Sequence, residues 1–194
     1  HTPFEFPDGK IEHYEEPKQT VNNAVRYADF AVNQFLTKLQ HNGYFKSSVI
    51  MVVADHDARA QGAQLVPVSN FHIPGMIISD DIKAFKDNRL VSQIDLAPTL
   101  MSLLGIDTPN PMIGYDLTQK PLDMPGRALM QYGKNQAYMT DDFVTILRPE
   151  SQHVGFTNKK DNLGEPMEPI DVEVPLAHAL FASWAYDQQA YRLP

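Results

Sequence analysis

The chain has 194 residues, of which 43% are hydrophobic, and this is enough for one domain with a sizeable core. Its formal net charge of -8 argues against a nucleic-acid-binding groove, which needs a basic face, although a bound metal ion can reverse the local sign for an anionic substrate. The absence of cysteine excludes disulfides, zinc–thiolate sites and a cysteine nucleophile.

Apolar periodicity and turn residues predict alternating helices and strands in the first half of the chain. The predicted elements are a loop (1–20), an amphipathic helix (21–39) stopped by Asn42-Gly43, a strand (48–54), a second strand (73–78) and a helix (92–104). Both strands are short, continuous apolar runs, which is typical of strands buried on both faces of a parallel sheet. This order predicts an α/β sheet with helices on its faces.

Short strand signals separated by turns follow from residue 128 onward. The predictions are four strands (128–132, 136–139, 143–147 and 154–157), a polar loop (158–173) and a terminal helix (176–191). The strands are expected to form a small antiparallel meander at the edge of the main sheet. With no repeat and no clear linker, residues 1–194 are read as part of one domain, and a chain that begins at His1 without an initiator methionine is expected to be a fragment.

The pair Asp55-His56 directly follows the most convincing strand. In open α/β sheets, catalytic groups lie just beyond the carboxyl ends of the strands, and both side chains can point at one ion from the turn there. A carboxylate and an imidazole suit Zn²⁺, Mn²⁺ or a related divalent ion. The alternative is an ordinary turn in which Asp55 is a cap and His56 a surface residue. A complete site also needs further ligands, which the sequence does not obviously supply.

Four stretches together resemble the lipoteichoic acid synthase and phosphoglycerol transferase family, within the alkaline phosphatase and sulfatase superfamily. They are the helix around Val25–Leu36, the strand Ser48–His56, the run beginning Phe71-His72-Ile73-Pro74, and the segment Ser92–Ile106 with Gly114-Tyr115-Asp116-Leu117 after it. Their order and spacing cover roughly residues 1–150. The resemblance implies the C-terminal portion of a three-layer, alkaline-phosphatase-like α/β domain.

The resemblance also implies roles for particular residues. Asp55 and His56 match the superfamily's metal pair, and the expected cofactor is one divalent ion, with manganese preferred and magnesium, zinc or calcium as alternatives. His1, in a His-x-Pro-Phe stretch, resembles a substrate-contacting histidine, although a terminus or tag remnant would look the same. Arg59 is close enough in sequence to contact substrate, as is Asp57, although a solvated turn suits both. The family's nucleophilic threonine and its partner acidic ligand lie upstream, so no catalytic residue is assigned here.

The implied activity is transfer of a phosphoglycerol group from an anionic lipid headgroup to an acceptor hydroxyl. Asp57 stands where sulfatases usually have glycine after the Asp-His pair, which favours phosphoglycerol over a sulfate ester. The alternatives are hydrolysis of a sulfuric or phosphoric ester, and a non-catalytic domain that binds glycans or headgroups. The expected protein partner is the missing N-terminal half of the domain. Such family members are membrane-anchored, with the catalytic domain outside the cytoplasmic membrane.

Overall fold

The computed structural model describes residues 2–57, 64–160 and 162–192. Their contacts form two compact units: the first contains the described residues up to Ile50 together with Ile78–Lys83, and the second contains those of Met51–Ile77 and from Ala84 onward. The assignment of residues 1–194 to a single catalytic domain stays a prediction.

The first unit is organised by α1 (Val21–His41), which confirms the first predicted helix. Thr20 caps it, accepting a hydrogen bond from the backbone N–H of Asn23. The Asn23 side chain is fully buried: its oxygen accepts from the N–H of Tyr14 at 2.6 Å, and its amide donates to the carbonyl of Glu15 at 2.7 Å. One buried amide therefore fixes the preceding loop on the helix, since an unsatisfied amide there would be costly.

The predicted apolar face of α1 is largely exposed. The side chains of Val21, Val25, Val32 and Phe35 are each more than a third accessible. An apolar stripe of this kind normally packs against another element.

The second unit contains two α-helices, an antiparallel sheet and all of a two-stranded sheet except its end residues Ile50 and Ile78. One sheet pairs β1 (Ile50–Val53) with β2 (Gly75–Ile78). The other is antiparallel, in the order β3 (Ala128–Tyr132), β4 (Asn135–Met139), β5 (Phe143–Leu147), β6 (Val154–Asn158) and β7 (Leu163–Met167). The helices are α2 (Leu96–Leu103), which follows a 3₁₀ turn at Gln93–Asp95, and α3 (Glu173–Asp187).

The core of this unit lies on one face of the antiparallel sheet. Side chains from β3, β4 and β5 pack there against a segment that follows the Asp55-His56 loop. The buried members are Val66, Val68, Met130, Ala137, Met139, Val144 and Ile146. The segment after the predicted metal pair is therefore anchored by apolar burial, at about 25 cal/mol per Å² of apolar surface.

Three sequence predictions need correction. The loop predicted at 158–173 contains β7, because Gly164 and Pro166, which usually mark loops, are tolerated on an edge strand. α3 runs over Glu173–Asp187 and not 176–191, since Pro175 fits a first helical turn. β1 and β2 are partly exposed and not buried on both faces; among the described residues they pair only with each other.

A buried ion pair joins the turn before α2 to the start of the antiparallel sheet. The guanidinium of Arg127 donates to both carboxylate oxygens of Asp95 at 3.0 Å, and the two side chains are 2% and 1% exposed. The same carboxylate accepts the backbone N–H of Ser92 at 2.8 Å, while the Ser92 hydroxyl accepts the N–H of Leu129 in β3 at 3.1 Å. Asp95 is therefore the hub that fixes this turn on the sheet.

The Gly114–Leu117 turn is fixed by the same hub. Tyr115 donates its N–H to Asp95 at 2.7 Å, and its ring lies 4.0 Å below the Arg127 guanidinium. The N–H of Leu117 donates to the Thr99 hydroxyl at 3.0 Å. A Cβ on Gly114 would lie 2.0 Å from the carbonyl oxygen of Ile94, so only glycine permits this approach. Close packing against the 3₁₀ turn before α2 therefore explains the Gly-x-Asp-Leu motif at Gly114–Leu117.

Arg127→Leu is expected to destabilise the second unit by about 3–5 kcal/mol, because it leaves the Asp95 carboxylate buried without its partner. Urea unfolding followed by fluorescence of Trp184, the single tryptophan, measures this. Lys18→Ala removes the exposed pair with Asp8 and should leave the transition nearly unchanged. A loss below about 1 kcal/mol for Arg127→Leu would contradict the assignment of Asp95 as the hub.

The packing of α3 against the antiparallel sheet predicts that the stability of the fold depends on pH. The ring of His178 lies 5.6 Å from that of Tyr138 in β4, and burial, assisted by the positive charge of Arg127, lowers the pKa of His178. The unfolded chain then binds more protons than the folded one, so stability should fall as the pH drops below about 6.5. His178→Gln should remove that part of the slope, whereas His41→Gln should retain it. If the urea midpoint changed with pH in the same way in wild type and in His178→Gln, this prediction would be refuted.

Candidate functional site

Asp55 and His56 lie two and three residues beyond the end of β1. Asp55 Oδ1 accepts the backbone N–H of His56 at 3.0 Å, and the other carboxylate oxygen lies 3.6 Å from His56 Nε2. The side chains are 84% and 55% exposed, respectively. The turn therefore presents one carboxylate and one imidazole side by side at an accessible position.

The orientation of the imidazole is set by its other nitrogen. His56 Nδ1 lies 3.0 Å from the carbonyl oxygen of Asp57, which can only accept, so Nδ1 is the donor in this contact and Nε2 faces the Asp55 carboxylate. Metal-binding histidines usually have their second nitrogen fixed in this way.

The donor set fits a divalent ion. Two ligands bound at about 2.1 Å to a tetrahedral ion are about 3.4 Å apart. The observed separation of 3.6 Å between Asp55 Oδ2 and His56 Nε2 is close to that value. A carboxylate with an imidazole suits Mn²⁺ or Zn²⁺. Within the part of the chain that the structure describes, no cluster of three or more His, Asp or Glu side chains is placed to hold a metal, so this pair is a partial set of ligands.

Gln93 supports this turn from the 3₁₀ turn before α2. Its side-chain amide donates to the carbonyl of Ala54 at 3.3 Å and approaches that of Asp55 at 3.5 Å. Gln93 is flanked by Ser92 and is two residues from Asp95, so its backbone is fixed by the buried hub. A chain of contacts thus connects Arg127, which directly precedes β3, to the backbone of the predicted metal pair.

Two of the predicted substrate-binding residues, His1 and Arg59, lie outside the described residues. The structure therefore brings together Asp55 and His56 of the predicted site, and adds Gln93 and Arg127, which sequence reasoning missed. Gln93 has a weak signal, as a polar residue inside the quoted Ser92–Ile106 segment. Arg127 has none, because its partner Asp95 is 32 residues away in sequence.

A family model described as Sulfatase matches residues 1–106, which is more than half of the chain. The chain therefore belongs to the sulfatase family. A solved structure of a protein in the alkaline phosphatase superfamily from Vibrio parahaemolyticus superposes with a TM-score of 0.90 at 42% identity, covering 100% of this chain and 48% of that one. The predicted superfamily resemblance and fold class are confirmed.

Curated relatives with sequence similarity to this chain include two described as lipoteichoic acid synthases or similar to them. "Lipoteichoic acid synthase-like YvgJ" of Bacillus subtilis is 29% identical over 170 residues, covering 74% of this chain and 26% of that protein. "Lipoteichoic acid synthase" of Staphylococcus aureus is 28% identical over 194 residues, covering 89% and 28%. The chain thus spans about a quarter of the length of these relatives. No helix among the described residues has the length and apolar character needed to cross a membrane.

Gln93→Met is expected to loosen the turn after β1, because it keeps the side-chain size but removes the donor to the two carbonyls. Losing a hydrogen bond worth about 1 kcal/mol should speed amide exchange roughly fivefold in a peptide covering residues 52–57, measured by hydrogen–deuterium exchange mass spectrometry. Gln119→Met, at an exposed glutamine outside this contact, is the matched control. Equal exchange in both variants would show that Gln93 does not hold the turn.

Proposed function

We propose that this chain forms part of a metal-dependent transferase that moves a phosphoglycerol group from a lipid headgroup to an acceptor hydroxyl. The observation that carries the proposal is the geometry of Asp55 and His56: a carboxylate and an oriented imidazole, 3.6 Å apart, beyond the end of a strand. Membership in the sulfatase family and similarity to lipoteichoic acid synthases support this chemistry.

In this proposal Asp55 and His56 hold one divalent ion, with Mn²⁺ preferred over Mg²⁺, Zn²⁺ or Ca²⁺. Such an ion lowers the pKa of a bound nucleophile and offsets negative charge on a transferring group. Gln93 keeps the backbone of the turn in place, and His1 and Arg59 are proposed to contact the substrate. The nucleophile is assigned to a part of the protein upstream of these residues.

The remaining ligands and the nucleophile are proposed to come from the N-terminal half of the same catalytic domain. The chain spans about a quarter of its curated relatives, so there is room for such a half in the parent protein. The exposed apolar stripe of α1, with Val25 and Phe35 each more than half accessible, is a surface that this half would cover. We place the assembled domain outside the cytoplasmic membrane, on a membrane-anchored protein, where it meets its lipid donor.

A second candidate is hydrolysis of a sulfuric or phosphoric ester, with water in place of the acceptor hydroxyl. The specific observation in its favour is the match of residues 1–106 to the Sulfatase model. The two activities share the metal pair and differ in the acceptor, so products and not metal dependence distinguish them.

Asp55→Ala and His56→Ala, each made in the parent protein, should lower both Mn²⁺ affinity and phosphoglycerol transfer from phosphatidylglycerol by more than about 100-fold. Each removes a direct ligand, whereas loss of an outer-shell partner alone costs about 10–100-fold. Calorimetry measures the binding. A product assay separates phosphoglycerol transferred to an acceptor hydroxyl from glycerol phosphate released by water, and a sulfate ester is assayed as a second substrate for released sulfate.

His41→Ala, at an exposed histidine at the end of α1, is the matched control and should behave like wild type. Wild-type metal binding and turnover in both Asp55→Ala and His56→Ala would overturn the assignment of the metal pair. If the two variants lose metal binding and the wild type releases glycerol phosphate from phosphatidylglycerol, or sulfate from a sulfate ester, without transferring phosphoglycerol, the hydrolase would be supported instead.

A further inference from the structure

A cleft of about 530 Å³ lies at one end of the antiparallel sheet, where the turn between β3 and β4 meets the segment after β5. The turn contributes Tyr132 and Lys134, and the segment contributes Arg148, Glu150 and Gln152. We call it the hairpin cleft. Its volume lies within the range of about 300–1,000 Å³ that small-molecule sites occupy. Neither Asp55 nor His56 lines it.

The cleft is locally cationic on an acidic chain. Lys134 and Arg148 both line it, although the whole chain has a net charge of -8. Within the described ranges neither forms an ion pair with a carboxylate, whereas Arg89 and Arg127 are paired with Asp87 and Asp95. The charged lining residues are these two cations and one anion, Glu150, so the cleft has a net positive charge. This suits an anionic ligand, because guanidinium and ammonium groups bind phosphate and sulfate oxygens strongly.

Glu150 gives the cleft a second kind of contact. Its backbone is in the left-handed region, at φ 60° and ψ 28°, which is unfavourable for a residue with a Cβ. Strained backbone of this kind clusters at ligand-binding sites. Glu150 also forms no ion pair among the described residues, so its carboxylate is able to accept from ligand hydroxyls. The amide of Gln152 adds a donor and an acceptor beside it.

Together these groups define a ligand with one ester anion and several hydroxyls. We propose that the hairpin cleft binds a phosphate- or sulfate-bearing polyol or sugar, with Lys134 and Arg148 on the anion and Glu150 on the hydroxyls. The ring of Tyr132 forms an apolar wall against which the carbon skeleton packs. The site is separate from the metal pair and does not depend on the proposed transferase activity.

Binding to the metal-free parent protein tests the proposal, with glycerol 1-phosphate and glucose 6-sulfate as probes and glycerol and inorganic phosphate as comparisons. Both esters should bind more tightly than either comparison compound, by tenfold or more, in isothermal titration calorimetry. A preference between the two esters identifies the source of the anion. Equal binding of inorganic phosphate and the esters would overturn the proposal, because it indicates a bare anion site.

Lys134→Ala and Arg148→Ala should each weaken ester binding about tenfold or more, and Glu150→Gln should weaken ester binding relative to the binding of inorganic phosphate. Lys86→Ala, at an exposed lysine outside the cleft, is the matched control and should match wild type. Lys134 is exposed on a turn, so its variant is expected to fold normally. Unchanged binding in Lys134→Ala refutes the site.

Asp55→Ala separates this proposal from the metal pair. Ester binding in that variant should equal wild type, and Mn²⁺ binding in Lys134→Ala should also equal wild type. Loss of ester binding in Asp55→Ala would show that the probe binds at the metal pair, and the assignment to the hairpin cleft would then be wrong.

Discussion

The buried pair of Asp95 and Arg127 is the interaction on which the second unit depends. Removing two charges from water costs several kcal/mol per ion, so such a pair persists only where its remaining hydrogen bonds are met. Asp95 satisfies this condition, since its carboxylate also accepts the N–H groups of Ser92 and Tyr115. Arg127 does so incompletely, because its buried Nε has no hydrogen-bond partner among the described residues. Its guanidinium also lies over the Tyr115 ring, which adds a favourable cation–π contact.

This anchor explains how the largely exposed side chains of the proposed metal pair can have a defined geometry. Asp55 and His56 have little burial of their own, so their position must come from their backbone. That backbone is held on one side by β1 and on the other by Gln93, whose own turn is fixed through Asp95 to the sheet. The buried hub therefore lies away from the side chains that would bind an ion, and it supports their backbone through Gln93. Such support is needed where ligand positions must be precise.

Local patterns were enough to predict most elements but not how they are joined. The strands β3 to β6 were predictable because short runs with apolar residues are separated there by turn residues. β7 was not, because a strand containing Gly164 and Pro166 has no such pattern and exists only by pairing with β6. The Asp55-His56 pair was predictable from its position after an apolar strand, whereas Arg127 was not. Its role depends on a partner 32 residues away that only the fold brings close.

Charge connects the two proposed sites. An anionic ligand approaching a chain with a net charge of -8 is repelled on average, so it must find local positive charge. At the proposed metal pair the protein supplies a carboxylate and an imidazole, and the positive charge for an anionic substrate would come from the ion itself. In the hairpin cleft the protein supplies it directly through Lys134 and Arg148. We therefore expect metal removal to affect ligand binding at the first proposed site and not at the second, so the two can be studied separately in one protein.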